Sequence, residues 1–250
     1  MSGHSKWSTI KRKKGAEDAK RGKLFTRIAR EIMLGARHGS SDPSANPALR
    51  LAVDKARAAN MPKENIERAI KKGTGELEGG DVDEITYEAF APNGVPLLIR
   101  CLTDNRNRAL SDVRRILNKA GGNMTEAGAV GWMFETKGYI TVERTNQDPD
   151  EVFMMAVEAG AEDVEIGEES FQIYTEASEL HAVVTALQKS GLKISETGLS
   201  EVPKNEIELS AADTIKVMNV IEALEELDDV DQVFSGLGIS DEVMAQMEAA

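Results

Sequence analysis

The chain reads as an α+β protein: an N-terminal helical bundle followed by two ferredoxin-like α/β domains, the third domain inserted into the second. Three observations predict this. Apolar residues recur at helical spacing up to residue 72, strand-length apolar runs alternate with helical ones from residue 85 onward, and a βαββαβ cycle runs from about residue 138 to 202 with two elements left over after it. At 250 residues and 41% hydrophobic side chains, the chain can fill more than one core. Aromatics make up only 4%, so those cores are expected to be aliphatic.

Residues 1–15 are rich in Gly, Ser and Lys, show no apolar period and read as an extended arm. From about Glu17 to Arg37, Phe25, Ile28, Ala29, Ile32, Met33 and Ala36 share one helical face, while Lys20, Lys23, Arg27 and Arg30 fall near the opposite one. Gly39-Ser40-Ser41-Asp42-Pro43 ends this helix. Asn46-Pro47 opens a second, with Leu49, Ala52, Val53 and Ala56 inward and Arg50 and Arg57 two turns apart outside. After Met61-Pro62 a third helix runs to Lys72, with Gly73 as its expected C-cap.

Past a Gly-rich acidic linker, Ile85 to Ala91 and Val95 to Thr103 read as strands around the turn Asn93-Gly94. A helix from about Arg108 to Ala120 follows, stopped by Gly121-Gly122-Asn123, and Val130 to Glu135 is an expected strand. The cycle then runs Tyr139 to Glu143, helix from Asp150, Asp163 to Ile166, Phe171 to Tyr174, helix from Leu180, and a strand before Pro203. A helix from about Ala211 and a strand near Asp231 to Ser235 cannot form a core alone. Returned to the elements before residue 136, they complete a second α/β sandwich. The expected division is 1–79, 80–136 plus 205–238, 137–204, and a tail 239–250; a sequential split is the alternative.

Charge is divided as sharply as structure. Residues 1–72 hold 18 Lys and Arg against 7 Asp and Glu, a net +11; the rest holds 12 against 36, a net −24. Phosphate polymers respond to concentrated positive charge, so the total of −13 conceals a cationic module. Within the arm, Lys6, Lys11, Arg12, Lys13 and Lys14 surround Trp7, an indole that either stacks on a base or anchors the arm to the bundle. Lys20, Arg21, Lys23, Arg27 and Arg30 extend the cationic surface, with Arg50 and Arg57 beyond them. Charge of this kind points to phosphate contact, not to a read base sequence. The acidic remainder is expected to point away from the bound polymer.

Asp104 or Asn105 can cap the helix that follows them, leaving Arg106 and Arg108 for phosphate or a partner's carboxylate; a capped exposed turn is the other reading. The sequence contains no GxxxxGK[ST], HExxH or GxSxG string, and His4, His38 and His181 are far apart, so neither catalysis, metal nor cofactor is expected. The single Cys101 lies in an apolar run and reads as a buried hydrophobe. No apolar run approaches bilayer length and the N-terminal stretch lacks a signal-peptide core, so a cytoplasmic location without membrane contact is expected.

Several uncommon strings occur in order: Gly3-His4-Ser5-Lys6-Trp7 with Ile10-Lys11, Asp18-Ala19-Lys20-Arg21-Gly22-Lys23, Asn46-Pro47-Ala48-Leu49-Arg50, Asn60-Met61-Pro62-Lys63-Glu64-Asn65-Ile66, Leu102 to Arg108, and Gly121-Gly122-Asn123. On these, over almost its full length, the chain resembles the YebC/PmpR family. Ala91-Pro92, Cys101 and Met124-Thr125 depart from that family's usual residues. The resemblance implies three domains, the third inserted in the second, and a non-enzymatic cytoplasmic regulator. It implies a DNA-binding transcriptional regulator or, as in mitochondrial relatives, a translational activator that binds structured RNA at the ribosome. In the second case the acidic domains would meet basic ribosomal proteins. An enzyme with a cleft between the two α/β domains is the remaining, least favoured class.

Overall fold

The structure is a computed structural model that describes residues 17–78, 81–145, 147–167 and 170–248; the side chains of 17–21, 241, 242, 247 and 248 fall outside that description. Three helices come first: α1 (Glu17–Arg37), α2 (Pro47–Ala58) and α3 (Lys63–Gly73). Ile28, Ile32 and Ala36 of α1 pack with Leu49, Val53 and Ala56 of α2 and with Ile66 and Ala69 of α3. These are the positions that carried the helical period, now removed from water. Asn46 caps α2 by accepting from the Leu49 N–H (3.1 Å), and its amide donates to the Gly35 and Ser40 carbonyls, both at 2.8 Å. One buried side chain therefore starts α2 and fastens the end of α1.

Gly73 is not the C-cap expected from sequence. It stays inside α3, and Thr74 takes the cap. What requires glycine is the crossing of α1 and α3: a Cβ at residue 73 would collide with the Met33 carbonyl and lie 2.9 Å from the Ala36 Cβ.

The elements beyond the bundle are β1 (Asp83–Phe90), β2 (Pro96–Thr103), α4 (Arg106–Ala120), β3 (Asn123–Met124), β4 (Phe134–Glu143), α5 (Pro149–Ala159), β5 (Asp163–Ile166), β6 (Ser170–Glu176), α6 (Leu180–Lys189), β7 (Ile194–Pro203), β8 (Ile207–Glu208), α7 (Ala211–Glu225), β9 (Val230–Ser235), β10 (Leu237–Gly238) and α8 (Asp241–Glu248). They make two four-stranded antiparallel sheets, β3-β1-β2-β9 and β5-β6-β4-β7, and a small β8/β10 pair. All the strands of the second sheet lie in sequence between β3 and β9 of the first.

β2 is central, and every residue but Arg100 is buried. Its alternation assigns Leu97, Ile99 and Cys101 to the core with α4 and α7, and Leu98 to the opposite face with Val130, Phe134 and Phe234. Burial pushes the Cys101 thiol up to about 12, with Asp229 and Asp231 adding to the rise, so it is inert. The second sheet buries Ile140, Val142, Phe171 and Ile173 against Val152 and Ala156 of α5 and Val183 and Leu187 of α6.

Two details differ from expectation. The second sheet has the split βαβ element and strand order. In the first sheet the hairpin expected at Asn93-Gly94 is present, both residues with positive φ, and its direct β1–β2 connection gives an order other than the expected ferredoxin-like one. The expected strand from Val130 to Glu135 is a 3₁₀ turn over 131–133, and β4 begins only at Phe134. The cause is Glu88, whose carboxylate accepts from the N–H groups of Gly128 (2.7 Å), Val130 (2.5 Å) and Gly131 (2.9 Å). Donors held this way cannot join a ladder.

Gly73→Ala should lower bundle stability by about 1–3 kcal/mol in urea unfolding, the cost of overpacking a close helix contact. For Glu88, desolvation raises the carboxyl, but the three N–H donors outweigh it and leave it below the ordinary value of 4.5. Its stabilisation is therefore complete above the unfolded value and is lost as pH falls through the lower folded one. In Trp7→Phe protein, Trp132 emission should change over that acidic window, and Glu88→Gln should abolish the transition.

Candidate nucleic-acid interface

The bundle is the cationic part of the chain, and the outer face of α1 is where the sequence concentrates its charge. That face is not open to solvent along its length. Lys23 donates to the Glu226 carbonyl at 2.9 Å, Arg27 to the Glu225 carbonyl, and Arg30 to the Asp228 carbonyl. Arg30 also forms an ion pair with Asp229 at 3.2 Å. All four acceptors belong to the end of α7 and the turn after it. A helix C-terminus leaves its last carbonyls unpaired and carries partial negative charge. α7 has no basic residue in its own last turn, and α1 supplies the cations instead. The most acidic turn of the chain, Glu225-Glu226-Leu227-Asp228-Asp229, sits against α1.

Asp229 is the hub of the contact. Its side chain is 7% exposed and receives Arg108 through two donors, at 2.8 and 2.7 Å. Arg108 also reaches Asp104 at 2.7 Å, and this bond lowers the Asp104 carboxyl. The hydrogen bonds to Asp229 and Asp104 hold the Arg108 guanidinium well above its ordinary value. Asn105 caps α4 by accepting from the Arg108 N–H at 3.0 Å, and Arg106 pairs with Asp83 at 2.8 Å. Arg106 and Arg108 of the segment singled out for phosphate or partner contact thus each donate to carboxylates of this chain while staying partly exposed.

The other expected cations divide into three groups. Lys6, Trp7, Lys11, Arg12, Lys13 and Lys14 lie outside the described residues, as do the side chains of Lys20 and Arg21. Arg50 is exposed and donates to the Pro43 and Ser44 carbonyls at 3.0 and 2.5 Å, while exposed Arg57 pairs with Asp54 at 3.1 Å. Lys63, Arg68 and Lys71 of α3 are exposed as well and were not singled out from sequence.

Sequence reasoning also missed the polar layer beneath α1. Glu31 accepts from Lys55 at 2.7 Å, and burial raises its carboxyl despite that lysine. Arg100 donates to Asp231 at 2.9 and 2.7 Å, and its guanidinium lies over the Phe234 ring at 6.0 Å. No local pattern marks these pairs, because the partners are 24 and 131 positions apart. Arg37 meets Asp81 at 3.3 Å in a cleft of about 520 Å³ shared with Lys72 and Gly73. α1 and α3 both end there, and their negative ends disfavour an anion. Among the described residues, no group of three His, Cys, Asp or Glu side chains is placed to hold a metal ion, and no helix is long and apolar enough to cross a membrane.

Removing the hub should be costly. Asp229→Ala leaves Arg30 without its carboxylate and Arg108 with Asp104 alone, and should lower stability by about 2–3 kcal/mol, less than for a fully buried pair because Arg108 is half-exposed. A double-mutant cycle with Arg108→Ala should return a coupling of about 1–3 kcal/mol.

Comparison with known proteins places these features. Residues 5–76 match the family model described as the TACO1/YebC protein N-terminal domain, and residues 82–237 match that of the TACO1/YebC second and third domain. A protein of Acidithiobacillus ferrooxidans, named a probable transcriptional regulatory protein, is 52% identical over 249 residues, covering 100% of this chain and 99% of its own. One of Desulfotalea psychrophila with the same description is 50% identical over 248 residues, covering 99% of each. The crystal structure of a conserved hypothetical protein, Aq1575 from Aquifex aeolicus, is similar with a TM-score of 0.85 and 45% identity, covering 91% of this chain and 94% of that one.

Proposed function

The chain belongs to the TACO1/YebC family, and on that premise we propose that it is a non-enzymatic regulator of transcription whose basic N-terminal domain binds DNA through its phosphates. One observation carries this reading: a net charge of +11 over residues 1–72 in a chain whose total is −13. Charge so placed concentrates phosphate contacts at one end, while the acidic remainder is repelled from the same polymer. The names of the relatives support a role in transcription.

Phosphate contact is assigned first to Lys6, Lys11, Arg12, Lys13 and Lys14, with Trp7 as a stacking or anchoring group, and then to Lys20, Arg21, Arg50 and Arg57. Lys23, Arg27 and Arg30 belong to the same surface, although the end of α7 engages them. Asn105, Arg106 and Arg108 are assigned to holding the fold. This reading divides the chain at 1–79, 80–136 with 205–238, 137–204 and a tail 239–250. The acidic α/β domains are the surface for a basic protein partner.

Binding to duplex DNA should weaken with a log–log salt slope of roughly −0.9 per phosphate neutralised. Replacing Lys11, Arg12, Lys13 and Lys14 by Ala should reduce affinity equally for unrelated sequences and make the slope shallower by about 0.9 for each phosphate no longer neutralised. A wild-type slope near zero would remove the reading. Crosslinking in cells, with sequencing of bound DNA and RNA together, separates the targets. Promoter fragments are the expected result, and enrichment of ribosomal RNA would transfer the same surface to translation.

A further inference from the structure

We infer that the acidic end of α7 is a built-in competitor for the nucleic-acid-binding surface, so that Arg27 and Arg30 reach phosphate only when the helical bundle leaves the first sheet, while exposed Lys23 is held to the same carbonyls. The inference rests on the reading of the bundle as a nucleic-acid-binding domain, and it adds a closed, low-affinity state to that reading.

Three observations carry it. The first is occupancy. Lys23, Arg27 and Arg30 lie on one stripe of α1, and all three side chains end on carbonyls of Glu225, Glu226 and Asp228. Four carboxylates crowd the same five residues, 225–229, so a polyanion approaching the closed stripe meets like charge as well as occupied donors.

The second is imperfect satisfaction. The Nε of Arg27 is buried without a hydrogen-bond partner, while the head of its guanidinium is spent on a neutral carbonyl. Lys23 likewise meets a carbonyl there. A phosphate offers full negative charge and two acceptor oxygens in the fork geometry of an arginine, which makes it the stronger partner for the same groups.

The third is separability. The apolar cluster of the bundle draws all its members from Phe25 to Ile70, and it closes on itself. Polar contacts join the bundle to the rest: the three carbonyl contacts, Arg30 with Asp229, and Arg37 with Asp81 and the Val82 carbonyl. Polar contacts between separate cores allow the parts to move relative to each other, and salt weakens them. If only a fraction of molecules is open, the observed affinity falls by that fraction.

The test is a reversible tether. Lys23→Cys and Glu226→Cys, joined by a short bis-methanethiosulfonate linker, hold the closed state, and reductant releases it. Cys101 is fully buried and stays unmodified. Affinity for a 30-base-pair duplex of arbitrary sequence is measured on the same protein before and after release. The tethered form should bind at least about tenfold more weakly, with a salt slope shallower by about 2, the share of the two remaining stripe cations. In a second measurement, Glu225→Gln with Asp228→Asn should raise the affinity of the released protein several-fold more than that of the tethered one, whereas a general electrostatic gain would be equal in both. Equal affinity and slope in tethered and released protein, with DNA bound in both, would overturn the inference and leave the DNA-binding reading standing. Absence of DNA and RNA binding in all forms would remove both.

Discussion

Asp229 sits in the turn before β9, where the helical bundle and α4 meet it, and its nearly buried carboxylate is shared by an arginine from each. A carboxylate taken out of water must be compensated locally, and here two arginines do so, one from α1 and one from α4. The backbone carbonyl of Asp229 takes the N–H of Leu102, which extends the β2–β9 contact past its bulge. Electrostatic contacts therefore help to set the position of the bundle on the first sheet, whose apolar cluster is separate from that of the bundle. That distinction sets the character of the molecule. The cores give each unit its shape, and ion pairs and helix-end carbonyls help to set how the bundle sits against the sheet.

The same constraint changes how the cationic stripe is understood. On an isolated amphipathic helix, Lys23, Arg27 and Arg30 form a solvated face opposite the core. In the folded chain they complete the end of α7, a helix whose last turn lacks a basic residue. A cation suited to phosphate is equally suited to a helix C-terminus, because both present oxygen acceptors and negative charge. A protein of net charge −13 can still engage a polyanion, because charge is felt locally within roughly a Debye length of about 8–10 Å.

Much of the architecture was legible in residue patterns. The inward residues of α1, α2 and α3, the cap at Asn46, the hairpin at Asn93-Gly94 and the βαββαβ order of the second sheet all follow from local rules of spacing and turn chemistry. The misjudged elements have non-local causes. Gly73 looks like a C-cap until α1 is laid across it. The apolar run after Val130 looks like a strand until Glu88, some forty positions earlier, holds its donors. The carboxylate partners of Arg106 and Arg108 are likewise non-local: β1 and the turn before β9 bring Asp83 and Asp229 to them.

By itself, the sequence determined which residues leave water, where the helices and most strands begin, and that positive charge gathers at one end of the chain. These depend on neighbours within a few positions, where periodicity and propensity operate. Only the tertiary structure decided which cations stay exposed and which are consumed. A guanidinium carries the same charge in either case, and its partner, a carbonyl some two hundred residues away, is chosen by how the chain packs.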